Sequence, residues 1–139
     1  MAAADVPSGI PGRREARERA VQLVYEAEQR SFTPQEIIDD QLVVPDEFTV
    51  DLVIGTGEHR SDIDARLDRL IEGWPLDRLA SMDRAVLRVA TYELGHRLDV
   101  PTAVVLNEAI ELANSYGTDD SGRFVNGVLA AVAAELRVL

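Results

Sequence analysis

Four arginines stand within seven residues of the stretch GRREARERA, residues 12–20: Arg13, Arg14, Arg17 and Arg19, with Glu15 and Glu18 among them. A guanidinium presents a planar fork of donors that suits bidentate contact with phosphate and stacking against a ring, and every cation in this chain is an arginine. Far along the chain, DDSGRFVNGVL at 119–129 places Phe124 four residues after Asp120 and just ahead of an Asn-Gly pair. A phenylalanine there is either packed against a neighbouring helix or available to stack on a ligand. The chemistry these two stretches offer is recognition, by cations and a ring.

The rest of the composition narrows the choice. There is no cysteine, which excludes a disulfide scaffold, a thiolate metal site and a cysteine nucleophile together. His59 and His96 are far apart in sequence and no other residues cluster with them, so each reads as a surface or capping residue, with no metal and no cofactor implied. The formal net charge of -11 argues against binding nucleic acid over the whole surface, so any such contact must be local, and the arginine stretch is the locally basic one. No apolar run approaches the length of a membrane helix, and MAAADVPSGIPG lacks the layout of a signal peptide, which points to a soluble, cytoplasmic protein.

The elements that must hold these residues are helical. At 139 residues, with 46% hydrophobic and 28% charged, the chain is sized for one domain with a real core. Residues 1–11 read as a mobile arm and 12–139 as the domain. Ala16, Ala20, Leu23, Val24 and Ala27 recur at helical spacing, with Arg14, Arg17, Val21 and Tyr25 on one flank. TPQE at 33–36 is a capping-box start for a short helix. Pro45 and Asp46 open a longer helical segment running to Trp74-Pro75, where Gly55 and Gly57 mark a close crossing or a break. PLDRL is a single turn. Ser81 is placed to cap a helix through about Arg97, in which Glu93 and Arg97 form an i,i+4 pair. Two further helices follow, one ending at Gly117 and one after TDDS. No stretch alternates with period two, so the fold is an all-α bundle with short connections.

In the last helix, Val125, Val128, Leu129, Val132 and Leu136 form the buried stripe and Phe124 lies about 100° from its centre, a margin position. Gly127 points away from that stripe, as if something approaches it closely. Asp119, Asp120 and Ser121 are accounted for as cap and dipole partners of a helix N-terminus.

RREARERAVQLVYE, MDRAVLRVATYEL, DVPTAVVLNEAIELA and DDSGRFVNGVL, taken in order and spacing from about Arg13 to Leu136, resemble the NusB family of transcription antitermination factors. The resemblance implies about seven helices in two three-helix halves and no enzymatic activity. It implies pairing with a small-subunit ribosomal protein that serves as Nus factor E, binding of the boxA element of ribosomal RNA leader transcripts by that pair, and entry into the elongating RNA polymerase complex.

By position, the resemblance assigns Arg13, Arg14 and Arg17 to the RNA backbone and Tyr25 to the same surface. Asp120 and Phe124 fall near RNA and partner, with the Phe124 ring stacking on an unpaired base. Asp83 and Arg84 border this surface, and Arg88 lies with the partner-facing residues, where it braces helices through a salt bridge. Glu15 occupies a position where the family pattern favours an arginine, and the stretch from Ser31 to Asp46 is shortened. Three or four arginine contacts predict a salt slope of only about -2 to -3 on single-stranded RNA, weak binding that a partner must reinforce. The competing reading is a helical adaptor or homodimer that buries the arginine helix in protein contacts.

Overall fold

A computed structural model describes residues 12–137, apart from the side chain of Asp119. The expected arm, residues 1–11, lies outside the described residues. The described residues form seven α-helices: α1 (Arg13–Arg30), α2 (Pro34–Asp39), α3 (Glu47–Glu58), α4 (Arg60–Leu70), α5 (Ser81–His96), α6 (Thr102–Tyr116) and α7 (Asp119–Leu136). A 3-10 turn at Leu76–Arg78 stands where a single turn was expected. Helices α1, α2 and α3 pack on one another, as do α5, α6 and α7, and α4 lies between the groups against α5 and α7.

Helix α5 is the central element, buried from Arg84 to Leu94 on every face. It can be surrounded because Ala85, Val86, Leu87, Val89, Ala90 and Leu94 supply apolar contacts in all directions, while its polar residues meet partners from other helices. One of these neighbours is α1. The flank of α1 carrying Arg17 and Val21 is therefore buried along with the Ala16, Ala20, Leu23 stripe, because α1 is gripped by α3 on one side and α5 on another.

Local chemistry sets the helix ends. Thr33 and Glu36 close the anticipated capping box, Thr33 Oγ1 accepting from the Glu36 N–H at 3.1 Å and Glu36 Oε1 from the Thr33 N–H at 2.8 Å. The segment from Pro45 to Trp74 is two helices rather than one, broken at His59. Gly55 explains the close crossing nearby: a Cβ at this position would fall inside the Tyr92 ring of α5. Ser81 does not cap α5. Ala80 holds that position, and Ser81 Oγ instead accepts from Arg84. The Glu93–Arg97 pair does not form either, since the two side chains are recruited to different places by tertiary contacts: Glu93 to Arg17, and Arg97 to Asp51 and Asp99.

Gly127 is exposed with nothing near its missing Cβ, so no other helix approaches it. The tight contact on α7 is at Gly122, against the Asn114 side chain of α6. Phe124 is half-buried and packs on the margin of the core, in keeping with its angular position.

Candidate nucleic-acid interface

Helix α1 carries the arginine cluster, and its tight packing gives each arginine a different fate. Arg13 donates to Asp99 at 3.2 Å and lies over the Phe48 ring, 4.3 Å from its centroid. Arg14 forks onto Glu108, Nε to Oε1 at 3.1 Å and Nη2 to Oε2 at 2.8 Å, and also reaches Glu111 at 3.2 Å. Its side chain nevertheless remains 46% exposed. Arg17 is 2% exposed and forks onto the fully buried Glu93, at 2.8 and 2.6 Å. Its Nη1 has no hydrogen-bond partner and stands 3.8 Å from Glu108. Arg19 donates to the Val43 carbonyl at 2.8 Å and pins the loop before α3.

A second cluster joins α1, α4 and α5. Arg84 donates to Glu28 at 2.6 Å and to the Leu79 carbonyl at 2.7 Å. Arg88 bridges Glu28 at 2.9 Å and Asp64 at 2.8 Å. Burial alone would raise the Glu28 carboxyl, but hydrogen bonds from Arg84 and Arg88 outweigh it and hold the group below its ordinary range. Both guanidiniums are buried in this network.

The third group surrounds the start of α7. Ser121 Oγ accepts from the Thr118 N–H and donates to Asp83 Oδ2, both at 3.3 Å. Burial pushes the half-buried Asp83 carboxyl up, and the Ser121 hydrogen bond only partly offsets that. Asp120 is exposed and pairs with Arg123 one turn along. Tyr25 is half-buried on α1, packed against the core as Phe124 is.

Three findings escaped the sequence reading. Glu93 and Glu108 are buried counterions of Arg17 and Arg14. The signal for Glu108 was present, because Val105, Glu108, Ala109 and Leu112 share one helical face and an acid on an apolar stripe needs a buried cation. His59 and His96, each read as a surface or capping residue, are so placed, His59 at the junction of α3 and α4 and His96 exposed, but their rings also stack at 4.0 Å between centroids, and Tyr92 stacks on His96 at 4.9 Å. The break at His59 turns its ring back toward α5, which no spacing rule reveals. Burial and the neighbouring His59 hold the His96 ring below its usual range. No group of three or more metal-binding side chains occurs among the described residues. Finally, Tyr116 at the end of α6 bonds to Glu18 and Gln22 of α1.

The described residues thus form an all-helical bundle with the exposed Arg14 on one helix and the half-buried Phe124 ring at the edge of another. No described helix is long and apolar enough to cross a membrane. Residues 14–134 match the NusB family, and the chain belongs to that family. It is 42% identical over 128 residues to the transcription antitermination protein NusB of Kineococcus radiotolerans, covering 89% of this chain and 94% of that protein. Among solved structures it resembles T. maritima NusB at 37% identity, with a TM-score of 0.79 and coverage of 88% and 91% of the two chains. It also resembles a chain from the crystal structure of antitermination factors NusB and NusE in complex with dsRNA, at 26% identity, with a TM-score of 0.75 and coverage of 88% and 96%.

Proposed function

We propose that this protein is a non-enzymatic transcription antitermination factor. In this reading it binds boxA RNA of ribosomal RNA leader transcripts together with the ribosomal protein that serves as Nus factor E, and the pair joins the elongating RNA polymerase complex. The observation that carries the proposal is the similarity, over most of the chain, to a NusB solved with NusE and RNA.

The geometry supports a division of labour among the residues assigned to the site. Arg14 is the arginine best suited to meet a phosphate, being half-exposed and charged. In this reading Phe124 stacks on an unpaired base, and Tyr25 on α1 is half-buried like it. Asp83 and Asp120 offer carboxylates to a basic partner. Arg13, held between Asp99 and the Phe48 ring, contributes by anchoring the start of α1. Arg17, Arg84 and Arg88, buried in ion pairs, support the surface by fixing α1 against α4 and α5 rather than by reaching RNA or partner themselves.

A protein-only role, as adaptor or homodimer, is favoured by one observation. Leu42, Val43 and Val44 are 103%, 69% and 86% exposed on a loop that Arg19 holds in place, an apolar projection suited to protein contact. Fluorescence-anisotropy titration of boxA-type RNA against a scrambled control, with and without the ribosomal partner and at two salt concentrations, separates the readings. Selective, salt-sensitive binding that tightens with the partner is the expected result. Absence of selectivity in both conditions would leave the adaptor reading.

A further inference from the structure

We propose that Tyr116 is a second base-stacking platform for single-stranded RNA on the seam between α1 and α6, an inference that rests on the RNA-binding reading above. Tyr116 is 37% exposed, whereas Tyr25 and Phe124 are half-buried against the core. Its hydroxyl donates to Glu18 Oε2 at 2.8 Å and accepts from Gln22 Nε2. Glu18 and Gln22 are one turn apart on α1, so the phenol is held at its far edge while part of the ring remains open to solvent.

The seam brings this ring into line with the arginine. Arg14 meets Glu108 and Glu111, and four and eight residues further along α1 Glu18 and Gln22 meet Tyr116, so long side chains link α1 and α6 in parallel register. Arg14 and Gln22 are separated by roughly 12 Å of helix axis, and the seam presents a cation and then a ring along that length. Asn114 against Gly122 sets the register of α6 on α7, and Tyr116 and Phe124, each two residues and about 200° past that contact, project to opposite sides of the helix pair, so Tyr116 is a platform separate from Phe124. The charge at the ring also discriminates. Glu18, bonded to the Tyr116 hydroxyl, repels a phosphate placed over the ring, so the group that approaches it is a base.

The test uses the full chain with boxA-type RNA and compares wild type with Tyr116→Ala, Tyr116→Phe and Phe124→Ala by anisotropy over a range of salt. Tyr116→Ala is expected to weaken binding about tenfold, the scale of one lost stacking contact, with an unchanged salt slope because no phosphate contact is removed. Tyr116→Phe keeps the ring and is expected to remain within about twofold of wild type. Circular dichroism melting of each variant checks that the fold persists. The proposal is overturned if Tyr116→Ala binds like wild type, or if Tyr116→Phe is as weak as Tyr116→Ala, which would make the residue a hydroxyl tether between helices. If Phe124→Ala weakens binding while Tyr116→Ala does not, only this inference fails. If wild type shows no selective binding, the RNA reading fails with it.

Discussion

Arg17 of α1 and Glu93 of α5 form a bidentate ion pair, at 2.8 and 2.6 Å, with 3% and 0% of their side chains exposed. Removing one member of such a pair leaves an uncompensated charge in the interior. Arg17→Ala is expected to cost about 3–5 kcal/mol, read as a lower midpoint in urea denaturation. Arg17→Met with Glu93→Leu together should recover much of that loss. A single variant that melts like wild type would mean the pair is solvated in solution.

Arg14 is half-exposed but already engaged by Glu108 and by the exposed Glu111. A phosphate arriving at Arg14 therefore competes with Glu111. Glu111→Gln is expected to tighten RNA binding by a few-fold, on the order of 0.5–1 kcal/mol for an exposed ion pair. Arg14→Ala is expected to weaken binding and make the slope of log affinity against log salt shallower by about 0.7. An unchanged slope would remove Arg14 from the phosphate path.

Two glycines should respond to alanine with opposite signs. At Gly55 the added methyl meets the Tyr92 ring, whose hydroxyl is bonded to Asp51 at 2.8 Å, so Gly55→Ala is expected to destabilise by about 1–3 kcal/mol through overpacking. At the exposed Gly127 nothing lies near the new methyl, and Gly127→Ala is expected to stabilise by about 1 kcal/mol, the helix-propensity difference. Thermal melts of both variants decide this. A loss of RNA affinity in Gly127→Ala without a loss of stability would instead indicate that the ligand uses the open space there.

The two half-buried carboxylates Asp83 and Glu28 predict opposite pH dependences. Burial raises Asp83, so the folded state favours its protonated form. That contribution is fully present below the ordinary value of 3.8 and is lost as pH rises through the folded value, leaving an unpaired charge at neutral pH. Asp83→Asn should therefore raise the melting temperature at pH 7, with the gain disappearing below about pH 3.8, and should weaken binding of the basic partner.

Glu28 is held below its ordinary value of 4.5 by Arg84 and Arg88 against the opposing effect of burial. Its contribution is present above that pH and is lost as pH falls through the folded value. Glu28→Gln should consequently flatten the loss of stability between neutral and acid pH. An acid limb identical to that of wild type would show that other carboxylates control it.

Much of this architecture was legible because the signals were local. The Thr33 capping box, the helix that stops at Gly117 and the marginal angle of Phe124 each depend on residues within a turn or two of one another. The parts that were not legible depend on what lies opposite. Arg17 looked like a surface cation because only α5, contributed by residues far along the chain, converts that flank of α1 into interior. The Glu93–Arg97 spacing was favourable for a pair, but each side chain found a stronger partner on another helix. The two histidines met only because the chain breaks at His59. The arginines lie on α1, where the helical spacing put them, yet sequence spacing could not sort the exposed members of the cluster from the buried ones.

The Glu28 carboxylate accepts from Arg84 and Arg88, and Arg88 also holds Asp64, so one acid on α1 is wired to α5 and through it to α4. Groups joined in this way do not open one at a time. The amide protons of these three helices should exchange with solvent as one cooperative unit, slower than those of α2, which is attached by few buried side chains. A truncation at any of these residues would then be felt as simultaneous loss of protection across three segments distant in sequence.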